Sequence, residues 1–147
     1  GGVSNFFTRL LQGGEELRIT EKKDGGIEWD MADFEGMYFP TWIPYGYTLT
    51  EAESFSGYKC VLYKDKAGNA IRYYIYLDNQ SLAVDNEEIE TTPVYLHDSW
   101  GKCITKEDSI SVVWEDAEFI YIVRGPLEER TQIINMAEEA ERVSAEE

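Results

Sequence analysis

The chain is predicted to fold as an α+β domain: an antiparallel β-sheet (a meander of about five to seven strands) with one C-terminal α-helix packed on one face. Three observations predict it. From Tyr47 to Arg124, strand-like segments recur with turn signals roughly every eight to twelve residues. A clean helical period follows only after Gly125-Pro126. At 147 residues and 43% hydrophobic, the chain can bury one proper core, so residues 1–147 read as a single domain. Within it, 1–37 reads as an N-terminal hairpin and acidic loop, 38–125 as the sheet and 126–143 as the helix.

Asn5-Phe6-Phe7-Thr8-Arg9-Leu10-Leu11 has no period of two and reads as a short helix or a buried strand. Gly13-Gly14 and Gly25-Gly26 are turn signals flanking Leu17-Arg18-Ile19-Thr20, which alternates, so a β-hairpin is expected around Gly13-Gly14. Glu28 to Glu35 is acidic and is expected to loop. Tyr38-Phe39-Pro40-Thr41-Trp42-Ile43-Pro44-Tyr45-Gly46-Tyr47 follows. Its prolines fix their own φ and donate no backbone hydrogen bond, which rules out a helix or a central strand. With that many aromatics to bury, it reads as a rigid extended lead-in pinned onto the core. The sharper reading of the same residues is an aromatic recognition surface.

Tyr47 to Ala52 alternates and opens the sheet. Tyr58 to Lys64 and Ala70 to Leu77 flank a polar loop containing Gly68, a hairpin. Ile71, Tyr73, Ile75 and Leu77 share one face and are expected to be core. Tyr74 and Tyr76, on the other face, are either a solvent-facing strip for a peptide or glycan, or a strip buried beneath the N-terminal hairpin or the proline segment. An acidic excursion over 78–92 returns with Val94-Tyr95-Leu96. His97-Asp98-Ser99 turns the chain into Trp100 to Thr105, and Lys106-Glu107-Asp108 turns it into Ile110 to Trp114. Glu115 to Glu118 then leads tightly into Phe119 to Arg124.

Pro126 suits the first helical position, and Glu128 and Glu129 suit the positive end of a helix dipole. Leu127, Ile133, Ile134, Ala137 and Ala140 cluster on one side of the helical wheel, with Gln132, Glu138 and Arg142 largely off it. The chain is expected to fray from Ser144 onward.

The net charge of −16 opposes binding to nucleic acid or an anionic membrane surface, since like charge repels before contact. It permits a basic partner. Cys60 and Cys103 lie in separate strands and are expected as buried free thiols, or as a bridge if those strands are neighbours. With His97 as the sole histidine they make no zinc site, and no metal or cofactor is implied. His97, Asp98 and Ser99 are adjacent in sequence, and triad members must converge from separate places, so His97 reads as a surface turn residue. No phosphate-binding glycine loop occurs. Glu115, Asp116 and Glu118, or Asp85, Glu87, Glu88 and Glu90, could hold a hard cation but match no calcium loop, and solvated acidic loops are the plainer reading.

Several motifs in order carry a resemblance. Trp42-Ile43-Pro44-x-Gly46-Tyr47 precedes a tyrosine-rich hairpin, then Val113-Trp114-Glu115-Asp116 and Tyr121-Ile122-Val123. Leu127-Glu128-Glu129, Ile133-Ile134 and Met136-Ala137-Glu138 close the set. Over roughly residues 38–143 this resembles the bacterial family of domain of unknown function 4367. The resemblance implies an extracytoplasmic domain tethered by an upstream transmembrane helix, in proteins some of which are anti-sigma-factor-like. It implies no enzymatic activity and supplies no catalytic residues. The chain departs from it in the acidic excursion at 78–92.

The expected function is therefore a non-enzymatic sensing or interaction module, with no run of about 20 apolar residues to cross a bilayer itself. The chain begins Gly1-Gly2 without methionine, and any anchor is expected upstream. Its partner would be a protein, peptide or glycan, met by Tyr38, Trp42, Tyr45, Tyr47, Tyr74 and Tyr76. The alternatives are a soluble acidic partner-binding protein of immunity or inhibitor type, and an enzyme built on scattered carboxylates.

Overall fold

A computed structural model describes residues 31–55, 57–77 and 90–144. The hairpin expected around Gly13-Gly14 lies outside them. Seven strands form one antiparallel sheet: β2 (Thr48–Phe55), β3 (Tyr58–Lys64), β4 (Ala70–Tyr76), β5 (Glu90–Leu96), β6 (Ser99–Lys106), β7 (Ser109–Glu115) and β8 (Ile120–Pro126). Their order is β2-β3-β4-β8-β7-β6-β5. The sheet is therefore two meanders rather than one. β2-β3-β4 and β5-β6-β7-β8 are each hairpin-linked, and they join where β4 pairs with β8, setting Tyr73 opposite Val123. The reason lies in β8: Ile120, Tyr121, Ile122 and Val123 are all buried, and a strand buried on both faces needs a neighbour on each side.

Among the described strands, β2 and β5 form the edges, and both are blunted against further pairing. β2 carries a register irregularity between Leu49 and Glu51, and β5 contains Pro93, which the edge tolerates because it owes no donor outward.

One face of the sheet carries the main core, with Val61, Tyr63, Ile71, Tyr73, Ile75, Val112, Trp114, Tyr121 and Val123. The helix α1 (Arg130–Glu138) packs here against β7 and β8, burying Ile133, Met136 and Ala137. It is shorter than the helix expected over 126–143. A 3-10 turn, Leu127–Glu129, precedes it. After it the chain forms a two-residue strand, β9 (Glu141–Arg142), paired with β1 (Tyr38–Phe39). Glu138, Glu139 and Glu141 oppose the negative end of the helix dipole, and the β1–β9 bonds offer those backbone groups other partners. The loop expected over 28–35 also departs from expectation, since Met31–Phe34 is a 3-10 turn. Phe34 and Met37, three residues apart, are both buried.

The proline segment behaves as a pinned lead-in. Pro40 and Pro44 are buried, and the Thr41 hydroxyl donates to the Glu139 carbonyl at 2.7 Å. Tyr47 N–H donates to the Pro44 carbonyl at 3.1 Å across Gly46, whose φ of 91° suits the third position of a type II turn. That turn puts Tyr45 at its tip.

The opposite face buries Cys60, Tyr74, Ile104, Val113, Ile120 and Ile122. Cys60 and Cys103 are both buried free thiols. Four strand spacings of about 4.8 Å separate them, and Cys103 belongs to the other face, so no bridge can form.

Candidate functional site

The six residues singled out in the sequence do not converge. Tyr38 is half-buried in β1 and Trp42 is half-buried against the main core. Tyr45 is fully exposed, at 102%. Tyr47 is buried, and burial, together with Glu129, Asp65 and Glu128, pushes its phenol up to about 12. Tyr74 is 1% exposed, which corrects the solvent-facing strip. Its ring stacks 6.1 Å from that of half-buried Tyr76, which lies 5.6 Å from Tyr58, itself stacked on Phe55. The proline segment does not cover this ladder, because Tyr38, Phe39, Trp42 and Tyr47 pack on the other face and Tyr45 is exposed.

Tyr38 belongs to a clamp that fastens both ends of the described fold to the sheet. The β5–β6 hairpin turns on His97 and Asp98, whose φ values of 54° and 64° are those a two-residue I′ turn needs. The turn was expected, but a surface histidine was not what formed. The His97 ring lies 4.2 Å from Tyr38 and 5.3 Å from Trp114, centroid to centroid. Its Nε2 is 2.8 Å from the Ala137 carbonyl oxygen. That oxygen only accepts, so Nε2 carries the proton and closes a bond to the last turn of α1.

Asp116 supplies the other half. Its Oδ1 accepts from the Glu118 and Phe119 amides, each at 2.8 Å. Its Oδ2 accepts from the Tyr121 hydroxyl at 2.6 Å and from Arg142 at 3.1 Å. The Arg142 guanidinium lies 4.4 Å over the Tyr38 ring and also donates to the Gly36 carbonyl at 2.8 Å. The Tyr73 hydroxyl donates to the Tyr38 carbonyl. Asp116 is thus a structural tie rather than a cation ligand, and no cluster of three potential metal ligands occurs among the described residues.

Two exposed aromatics that the sequence reading did not select stand together. Tyr95 on β5 and Trp100 on β6 are register partners, 54% and 70% exposed, with centroids 5.0 Å apart, edge to face. The signal was present. Leu96 alternates with Tyr95, so burying Leu96 turns Tyr95 to the other face, and a two-residue turn sets Tyr95 opposite Trp100. Exposed Pro93 and Lys102, each two residues along its strand, point to the same side.

A family model described as Domain of unknown function (DUF4367) matches residues 37–139. The chain belongs to that family. The match begins one residue before β1 and ends just after α1, so this DUF4367 domain comprises the sheet and its helix, with β9 beyond the matched span. No curated protein and no solved structure matches the chain. No described helix is long and apolar enough to cross a membrane.

The clamp of this DUF4367 domain makes its stability depend on pH. Burial raises the Asp116 carboxyl, but Tyr121, the two turn amides and Arg142 together bring it below its ordinary value. A depressed carboxyl contributes stability above its unfolded value, near 3.9, and loses it as pH falls through the lower folded value. Asp116→Asn is therefore expected to cost about 2 kcal/mol at neutral pH, as hydrogen bonds to a charged group do. That difference should shrink as pH falls below about 4. Urea denaturation of both proteins at neutral and acid pH checks it. A pH-independent difference would exclude Asp116 ionisation as the cause.

Proposed function

We propose that this domain is a non-enzymatic extracytoplasmic sensing or interaction module of a membrane-anchored bacterial protein, binding a protein, peptide or glycan through Tyr95 and Trp100. The exposed Tyr95–Trp100 pair carries the reading. Apolar rings left in water gain free energy when covered, and tyrosine and tryptophan dominate the energetic centres of interfaces. The pair lies on an edge hairpin whose other face is anchored through Leu96 and His97, so it is held rigid before any ligand arrives. Tyr45, on its own turn, is a third exposed ring.

The test has two parts. A tagged full-length protein should fractionate with the membrane and be cleaved by protease added to intact cells. A photo-crosslinking residue at position 100 should trap a specific neighbour that the Tyr95→Ala/Trp100→Ala protein fails to bind. That double variant should stay within about 1 kcal/mol of the parent in stability, as exposed substitutions do. A soluble, protease-protected protein would sink the tethered reading. The alternative would then lead: a soluble acidic binder of immunity or inhibitor type, whose charge of −16 predicts association with a basic partner that weakens steeply with salt.

A further inference from the structure

The end of the sheet where β4 starts and β8 finishes opens into a cleft of about 380 Å³, lined by Asn69, Arg72, Asp108, Ser109, Arg124 and Glu128 among others. Arg72 and Arg124 are register partners on neighbouring strands, so their side chains leave the same face side by side. Like charges placed directly opposite destabilise a sheet. Both arginines are half-buried, and the Arg72 side chain has no hydrogen bond or ion pair among the described residues. Burial holds Arg124 below its ordinary value and Arg72 adds to that, with Tyr74 and Asp108 opposing. Asp108 and Glu128, both exposed, stand at the rim.

We propose that this cleft binds a small zwitterion of amino-acid type, its carboxylate held by Arg72 and Arg124 and its ammonium by Asp108 and Glu128. Two adjacent guanidinium groups match a carboxylate through paired N–H donors. A simple anion meets that floor but also the acidic rim and the repulsion of a chain carrying −16. A simple cation meets the reverse. A ligand with both charges satisfies floor and rim together, and the volume lies at the small end of ligand pockets. Ser109 and Asn69 add polar groups to the wall. The site is independent of the Tyr95–Trp100 surface.

Titration of the ¹⁵N-labelled domain tests this, with glycine, β-alanine and γ-aminobutyrate as probes and with acetate and methylammonium as single-charge controls at matched ionic strength. At least one zwitterion should give saturable shifts at the amides of Ser109, Arg124 and Gly125. It should bind about tenfold more tightly than either control, a difference of about 1.4 kcal/mol. Arg72→Gln should weaken it about tenfold or more. Asp108→Asn, in an exposed turn where folding is not at risk, should weaken the zwitterion but not acetate. No saturation by any zwitterion, acetate binding as tightly as the best zwitterion, or an Asp108→Asn protein that binds unchanged would each overturn the proposal.

Discussion

Gly101→Ala is expected to lower the unfolding free energy by about 3 kcal/mol, at the upper end for overpacking. A Cβ at Gly101 would sit 2.3 Å from the Val113 carbonyl oxygen and 3.2 Å from the Trp114 Cβ. Both atoms belong to, or sit directly on, the backbone of the neighbouring strand, so no side-chain rotation can relieve the clash. β6 must move away from β7, which strains the ladder that starts at Lys102 and Val113. Gly125→Ala is the internal control. Its Cβ would lie 2.8 Å from Ile133 Cδ1 and 3.0 Å from Ile71 Cγ1. Ile133 Cδ1 is the end of a flexible side chain, so a cost of about 1 kcal/mol is expected. Urea midpoints at unchanged slope measure both. If Gly125→Ala proved the costlier, the helix–sheet interface, not the β6–β7 contact, would be the rigid part of the fold.

Trp114→Ala is expected to cost about 4 kcal/mol, within the range for truncating large buried aromatics. Against a typical total of about 5–15 kcal/mol, that brings the domain close to unfolding. Among the described residues Trp114 is the largest fully buried side chain, 5.1 Å from Tyr121 and 6.3 Å from Tyr73 by ring centroids. It also supports His97 and Tyr38, so its loss reaches beyond its own cavity to the joint between the β5–β6 turn, β1 and the end of α1. Amide exchange should therefore accelerate at the β1–β9 pair and the 97–98 turn before it does so in β4 and β8. Uniform acceleration would mean that Trp114 supports the whole sheet alike and that no separate clamp exists. Trp114→Phe, which keeps a ring in the site, should recover most of the lost stability.

The hairpins were legible because their causes are local. Alternation over Tyr58 to Lys64 and Ala70 to Leu77, with Gly68 between them, places β3 and β4 to within a residue. β5 was not legible in full, since Glu90 to Pro93 looks like a continuation of the acidic excursion and is strand only because it lies along β6. The same holds for the end of the helix. Ala140 falls on the apolar side of the wheel and is buried, yet it precedes a strand, because Glu141 and Arg142 find Phe39 and Tyr38 across about a hundred residues of chain.

Of the candidate surface, the sequence included Tyr45 in what read as an extended lead-in, but it could not separate Tyr45, exposed at the tip of a turn, from buried Tyr47, two residues on. It placed Tyr74 on the face away from the core and could not show that this face is itself buried. Tyr95 and Trp100 were hidden because each looks like an ordinary strand aromatic until their pairing shows both on one exposed side.

By itself, then, the sequence determined the strand segments apart from the start of β5, their turns, the antiparallel class, the presence of a C-terminal helix and the family. Period-two alternation and glycine and proline geometry act over a few residues and can be read there. Tertiary structure alone decided that β4 pairs with β8, that His97 closes onto Ala137, that Asp116 meets Arg142, and that Arg72 stands beside Arg124. Each of these joins residues distant in sequence, and which distant partners meet depends on how all the apolar faces are buried at once.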